Sequence, residues 1–156
     1  MTLVGTPLPD FSLGDDRGNT VTPATLKGHW TVIYAYPKDA TPGCTTEACD
    51  FRDNWARVQA LGAQVYGISR DSVASHQKFV AKQDLTFPLL SDPDTALLKA
   101  LGAFGKKVMY GKEVEGIIRS TFLMDPSGII RHVWPKVSVK GHVEEVLTTL
   151  EALQKG

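Results

Sequence analysis

Hydrophobic positions in this chain follow two spacings that change from segment to segment. His29-Trp-Thr-Val-Ile-Tyr-Ala-Tyr36 is a run of β-branched and aromatic residues closed by Pro37. An apolar run without alternation predicts a central strand buried on both faces. Beyond the turn-forming stretch Pro37 to Gly43, the spacing changes. Cys44, Ala48, Phe51, Trp55 and Val58 recur every three or four residues, which predicts one face of a single helix ending at Gly62. Ala63 to Ser69 is a second strand. Asp71 or Ser72 can cap a helix running to about Gln83. Leu85 to Leu90 is a short apolar piece, and Ser91-Asp-Pro-Asp opens a helix through Leu97, Leu98 and Leu101 that stops at Gly102.

Residues 102–116, rich in glycine and lysine, are expected as an exposed loop. Arg119 to Met124 and Ile129 to Trp134 are strands joined by the tight turn Asp125-Pro-Ser-Gly128. Val143, Val146, Leu147, Leu150 and Leu153 lie on one face of a C-terminal helix. Residues 1–28 form a small hairpin or an irregular lead-in. Strands interleaved with helices predict an α/β fold: a central mixed β-sheet flanked by helices, with an N-terminal hairpin extension. With no repeat or linker to divide it, the chain is expected as a single domain over residues 1–156.

Composition narrows the function. Seventeen basic and seventeen acidic residues cancel, so neither nucleic acid nor an anionic membrane is the expected partner, since both select a basic surplus. The first ten residues lack the basic start and apolar run of a signal peptide, and no window approaches the ~18 apolar residues of a span. A cytoplasmic location is expected. Two cysteines are too few for a disulfide scaffold or, alone, for a structural zinc site, so they point to chemistry.

The chemistry concentrates in Tyr36-Pro-Lys-Asp-Ala-Thr-Pro-Gly-Cys44-Thr-Thr-Glu-Ala-Cys49. Cys44 falls in the first helical turn, where unpaired N–H groups and the helix dipole stabilise an anion. Cysteines so placed commonly have depressed pKa values, and the thiolate is the nucleophile. Pro42 suits the first helical position, and Gly43 lets another group approach the backbone. An isolated cysteine on a buried stripe is more often a small apolar core residue. Thr41-Pro42-Gly43 and the second cysteine weigh the other way. Cys49 lies five residues on, about 7.5 Å along an ideal helix and about 140° around it. The two Cα atoms are then about 8.7 Å apart, beyond the ~7 Å reach of an unstrained disulfide. A bond between them therefore requires local unwinding; equally, Cys49 could be an ordinary buried helix residue. The Cys-x-x-Cys spacing of dithiol exchange is absent.

These residues resemble the peroxiredoxins, specifically the bacterioferritin comigratory protein or peroxiredoxin Q group. The family's Pro-x-x-x-Thr-x-x-Cys signature stands here as Pro37, Thr41 and Cys44. The likeness continues through Phe51-Arg-Asp53, Gly67-Ile-Ser69, His76-Gln-Lys-Phe79, Phe87-Pro-Leu-Leu-Ser-Asp92, Arg119-Ser-Thr-Phe-Leu-Met-Asp125 and Val137-Ser-Val-Lys-Gly-His142. The resemblance implies a thioredoxin fold of peroxiredoxin type and a cofactor-free, metal-free thiol peroxidase acting on hydroperoxides. Cys44 would attack the peroxide and Cys49 would resolve the product through a transient disulfide. Thr41 would hydrogen-bond thiolate and peroxide, Pro37 would shield the pocket, and Arg119 would supply positive charge. Glu47 would orient that network, or simply be a first-turn acid favoured by the dipole. Thioredoxin or a similar dithiol would recycle the enzyme, and a resolving cysteine in the same chain implies a monomer.

Two departures bear on the pocket wall. Ala35 replaces the group's usual aromatic residue, and Ala103-Phe104 a common Val-Trp pair. Without the resemblance, Arg119 is a strand-edge arginine facing solvent. Trp30 and Trp55 are expected in the core, Lys106, Lys107 and Lys112 in a solvated loop, and His142 as a capping or surface residue. A disulfide reductase and a redox-sensing interaction module remain the alternatives at the level of residues alone.

Overall fold

The computed structural model of the chain describes residues 3–155, so Met1, Thr2 and Gly156 of the expected 1–156 domain lie outside the described residues. The first half runs β1 (Leu13–Asp15), β2 (Thr20–Val21), α1 (Pro23–Leu26), β3 (Trp30–Ala35), α2 (Pro42–Asp53), α3 (Trp55–Ala60) and β4 (Ala63–Ser69). There follow α4 (Val73–Gln83), β5 (Leu89–Ser91), α5 (Ala96–Ala100), β6 (Phe104–Met109), β7 (Lys112–Ile117), β8 (Ser120–Met124), β9 (Ile130–Trp134) and α6 (His142–Lys155).

Seven strands form one mixed sheet in the order β2-β1-β5-β4-β3-β8-β9. The three central strands β3, β4 and β5 are parallel, and β8 pairs antiparallel with β3. The apolar run of β3 follows from that position. Because side chains alternate along a strand, Val32, Tyr34 and Tyr36 enter a core shared with α2, α3 and α6. Ile33 and Ala35 enter the opposite core, with residues of α1 and α5. The expected N-terminal hairpin is β1–β2, whose β1 also joins the sheet edge at β5.

Three local expectations are corrected. The helix after Cys44 is broken at Asn54 into α2 and α3, where the Asn54 side-chain amide donates to the Asp50 carbonyl at 2.8 Å. Asparagine competes in this way for helical backbone groups. The helix expected from Ser91 begins only at Ala96; Asp92 accepts the Leu98 N–H at 2.9 Å and shapes its entry. Residues 102–116 are not a loop. Most of them form the β6–β7 hairpin, turning at Tyr110 and Gly111 with φ of 53° and 77°. Two positive φ values at the centre make the turn that suits a two-residue hairpin, and tyrosine is an uncommon residue there.

The register of β8 positions the site. Ala35 of β3 pairs with Ser120, so Arg119, one residue earlier, stands beside the end of β3 that leads into the Cys44 loop.

Candidate active site

β3 ends at Ala35, and the chain crosses residues 36–41 before starting α2 at Pro42, with Thr41 as its N-cap. The first helical hydrogen bond runs from Thr45 N–H to the Thr41 carbonyl at 2.8 Å. The amides of Gly43 and Cys44 precede it, the position where helix N–H groups remain available to an incoming oxygen. Cys44 itself is buried, and Cys49, still within α2, is half-buried; both are free thiols.

Arg119 joins the site from across the sheet. Its Nη2 donates to Cys44 Sγ at 3.2 Å and its Nη1 to Glu47 Oε1 at 2.6 Å. A guanidinium donor binds a thiolate better than a thiol. Gly43 leaves room for this approach: a Cβ there would lie 3.2 Å from Arg119 Nη2 and press the guanidinium by a few tenths of an ångström. Arg119 is thus partly buried rather than facing solvent. It stays firmly protonated, because attraction to Glu47 and Cys44 overcomes the desolvation that would lower its pKa.

Glu47 is fully buried, and its Oε2 has no partner among the described residues. Burial outweighs the attraction of Arg119 and raises its carboxyl to about 7. Tyr34 lies within electrostatic reach of Glu47 and Cys44, and its buried hydroxyl likewise has no partner. Desolvation, then the nearness of Glu47 and Cys44, push its phenol well above 10.0, so it stays neutral. Because the folded pKa of Glu47 is raised above the ordinary 4.5, its stabilising contribution is complete at low pH. That contribution is lost as pH rises through about 7. Wild type should therefore lose up to about 3 kcal/mol relative to Glu47→Gln between pH 4.5 and 8. Urea unfolding of both proteins at the two pH values measures this, and parallel pH dependences would contradict it.

The remaining expected site residues occupy several places. Pro37, with Lys107, Ile117, Arg119 and Val137, lines a groove open to solvent. Pro42 is the exposed first residue of α2. Thr41 donates its hydroxyl proton to the Lys38 carbonyl at 2.8 Å, and no hydrogen bond joins it to Cys44 among the described residues. Lys107 is not freely solvated as expected: its Nζ donates to the Ile117 carbonyl at 2.6 Å, and burial, then Arg119, lower its pKa. His142 stands at the start of α6, as a capping residue would, but is buried and not on the surface, its Nε2 2.8 Å from Thr121 Oγ1, and its pKa is lowered chiefly by burial. Ala35 and Ala103 are buried in the core on the sheet face opposite Cys44, and neither they nor Phe104 line the groove beside Pro37 and Arg119.

Comparison with known proteins gives the same placement at every level. The AhpC/TSA family pattern matches residues 4–133. Peroxiredoxin Bcp of Xanthomonas campestris is 49% identical over 146 residues, 94% of this chain and 91% of that protein. Peroxiredoxin Bcp of Bacillus subtilis is 46% identical, with 97% of each chain covered. Among solved structures, the bacterioferritin comigratory protein of Xanthomonas campestris superposes with a TM-score of 0.88 at 47% identity, over 97% of this chain and 96% of that one. That protein was solved as trapped intermediate and ligand complexes in a study of its alkyl peroxide reduction. A cysteine-to-serine mutant of Xylella fastidiosa peroxiredoxin Q gives a TM-score of 0.92 at 41% identity, over 99% and 98% of the two chains.

Proposed function

This chain belongs to the AhpC/TSA family, within its bacterioferritin comigratory protein and peroxiredoxin Q group, and we propose that its thiol peroxidase chemistry runs through Cys44 and Cys49. The observation carrying this assignment is the Arg119 guanidinium, bridging Glu47 Oε1 at 2.6 Å and Cys44 Sγ at 3.2 Å at the start of α2.

The Cys44 thiolate attacks the near oxygen of ROOH. An S–O bond forms as the O–O bond breaks, and the leaving alkoxide takes a proton to become ROH. Arg119 and the Gly43 and Cys44 amides meet the negative charge passing from sulfur to oxygen. Thr41 has committed its proton to Lys38, so its oxygen is left to accept a hydrogen bond from the peroxide O–H. Cys44 is then a sulfenic acid. Cys49 attacks that sulfur, releasing water and forming the Cys44–Cys49 disulfide. Since both cysteines lie on α2, the helix must unwind between them for the sulfurs to meet. Thioredoxin or a similar dithiol restores both thiols by exchange, becoming oxidised itself.

Both cysteines belong to one chain, which supports catalysis by a monomer. Recycling by a dithiol pool fits a reducing compartment such as the cytoplasm. Among the described residues no helix is long and apolar enough to cross a membrane.

Cys49→Ser tests the resolving step. One equivalent of peroxide should be consumed at close to the wild-type rate. Steady-state turnover with a dithiol reductant should fall about 10- to 100-fold as Cys44 sulfenic acid accumulates. Undiminished turnover in stopped-flow and coupled assays would remove Cys49 from the scheme.

A further inference from the structure

A second buried polar cluster lies behind the loop that delivers Cys44. At its centre His76, on α4, is wholly buried. Its Nδ1 is 2.8 Å from Asp39 Oδ2 and its Nε2 is 2.9 Å from the Leu90 carbonyl. A carbonyl oxygen can only accept, so Nε2 carries a proton. Nδ1 then faces a carboxylate that is already supplied with donors: Tyr36 Oη donates to Asp39 Oδ1 at 2.6 Å and Ser75 Oγ to Oδ2 at 2.8 Å. Hydrogen bonds from His76 and Tyr36 outweigh the cost of burial and hold the Asp39 carboxyl below its ordinary value, so Asp39 is ionised. At 2.8 Å in a dry interior Nδ1 and Asp39 Oδ2 share a hydrogen bond, and Tyr36 Oη lies 3.4 Å from the same nitrogen, so ring, carboxylate and phenol form one buried hydrogen-bonded cluster.

The surrounding elements agree. Tyr36 follows β3, Ser75 belongs to α4, and the Leu90 carbonyl comes from β5. Asp71 faces the loop from the β4–α4 connection, where its Oδ2 accepts from Asp39 N–H at 2.9 Å and Ser69 Oγ at 2.7 Å. Asp39, Asp71 and His76 present ligand atoms within 4.8 Å of one another, but each of these groups is engaged in the hydrogen bonds just named. The adjacent Ala40 has φ of 62°, a left-handed conformation that strains a non-glycine residue. Such a conformation persists only where its surroundings over-determine it.

The geometry points to His76 as a positioning residue for the active site: a buried ring whose two nitrogens bind Asp39 and the Leu90 carbonyl, fixing the 36–41 loop in the shape that starts α2 at Pro42 and places Cys44 in its first turn. This rests on the reading of Cys44 as the reacting thiol. Its effect is exerted through Asp39 and the backbone, since His76 touches neither Cys44 nor the substrate groove.

Nitrogen NMR of the reduced wild-type protein should show the His76 Nε2–H that binds the Leu90 carbonyl exchanging with solvent far more slowly than a surface histidine's; fast exchange would overturn the proposal. In His76→Gln, iodoacetamide alkylation of Cys44 and reduction of hydrogen peroxide should both slow by about 10- to 100-fold while the fold persists by circular dichroism. A folded variant with wild-type rates in both would also overturn it. Should that variant fail to fold, Asp39→Asn is read the same way, with the same expected slowing. Alkylation needs no peroxide. A wild-type protein inert to peroxide would therefore defeat the peroxidase scheme while leaving the His76 tether tested by alkylation and NMR.

Discussion

Replacing Cys44 by serine is expected to lower peroxide consumption by more than about a thousandfold, to the level of the protein-free reaction. A serine hydroxyl in the same place is not ionised at neutral pH, and its oxygen cannot take the place of sulfur as electron donor to the O–O bond. The loss should be chemical rather than structural. Cys44 is buried, serine is slightly smaller, and Arg119 can still donate to its oxygen. The thermal midpoint should shift by only a few degrees, as for a change of about 1 kcal/mol. Cys49 cannot substitute, because Arg119 and the amides at the start of α2 are directed at position 44. Turnover persisting in a folded Cys44→Ser protein, followed by peroxide-electrode or coupled assay, would transfer the chemistry elsewhere.

Arg119→Met should produce the second largest effect, a fall of about 100- to 1000-fold in the rate of peroxide reduction. The guanidinium contributes a fixed positive charge and two differently directed donors, one to Cys44 and one to Glu47. Methionine fills the volume and supplies neither. Lysine should recover little, since a single ammonium cannot reproduce the planar fork. Stability should also fall, by about 1–3 kcal/mol, because Glu47 loses its partner in a fully buried position. The loss is tempered because a carboxyl already raised to about 7 can take up a proton instead of remaining charged. Stopped-flow peroxide reduction and urea unfolding together separate the two effects. A variant that lost stability but kept its rate would leave Arg119 only a structural role.

What could be read from the chain followed the range of each interaction. Cys44 was visible because a strand, a turn and a helix start are local patterns, and the thiol sits where they meet. Arg119 lies 75 residues away and was brought to the sulfur by the pairing of β8 with β3, which no spacing encodes. Only the family resemblance indicated it. Glu47 gave an ambiguous signal: an acid is welcome in any first helical turn, although its position three residues from Cys44 places it on the same inward face. His142, expected as a capping or surface residue, does stand at the start of α6, but it directly precedes Val143, Val146 lies one turn on, and all three are buried. His76 sits three residues before buried Phe79, but its partners Asp39 and Leu90 come from separate segments. The β6–β7 hairpin escaped because every cross-strand pair except Phe104 with Ile117 contains a glycine or a charged residue, and its turn is Tyr-Gly instead of a commoner hairpin dipeptide.

The most direct test of the central claim is the intact mass of the reduced protein before and after one equivalent of hydrogen peroxide, with peptide mapping of the product. The scheme predicts a loss of two hydrogens within the mixing time, mapped to a Cys44–Cys49 bond, which α2 can form only by unwinding. Oxygen retained on Cys44 alone would contradict the role of Cys49, and an unchanged mass would contradict the peroxidase assignment itself.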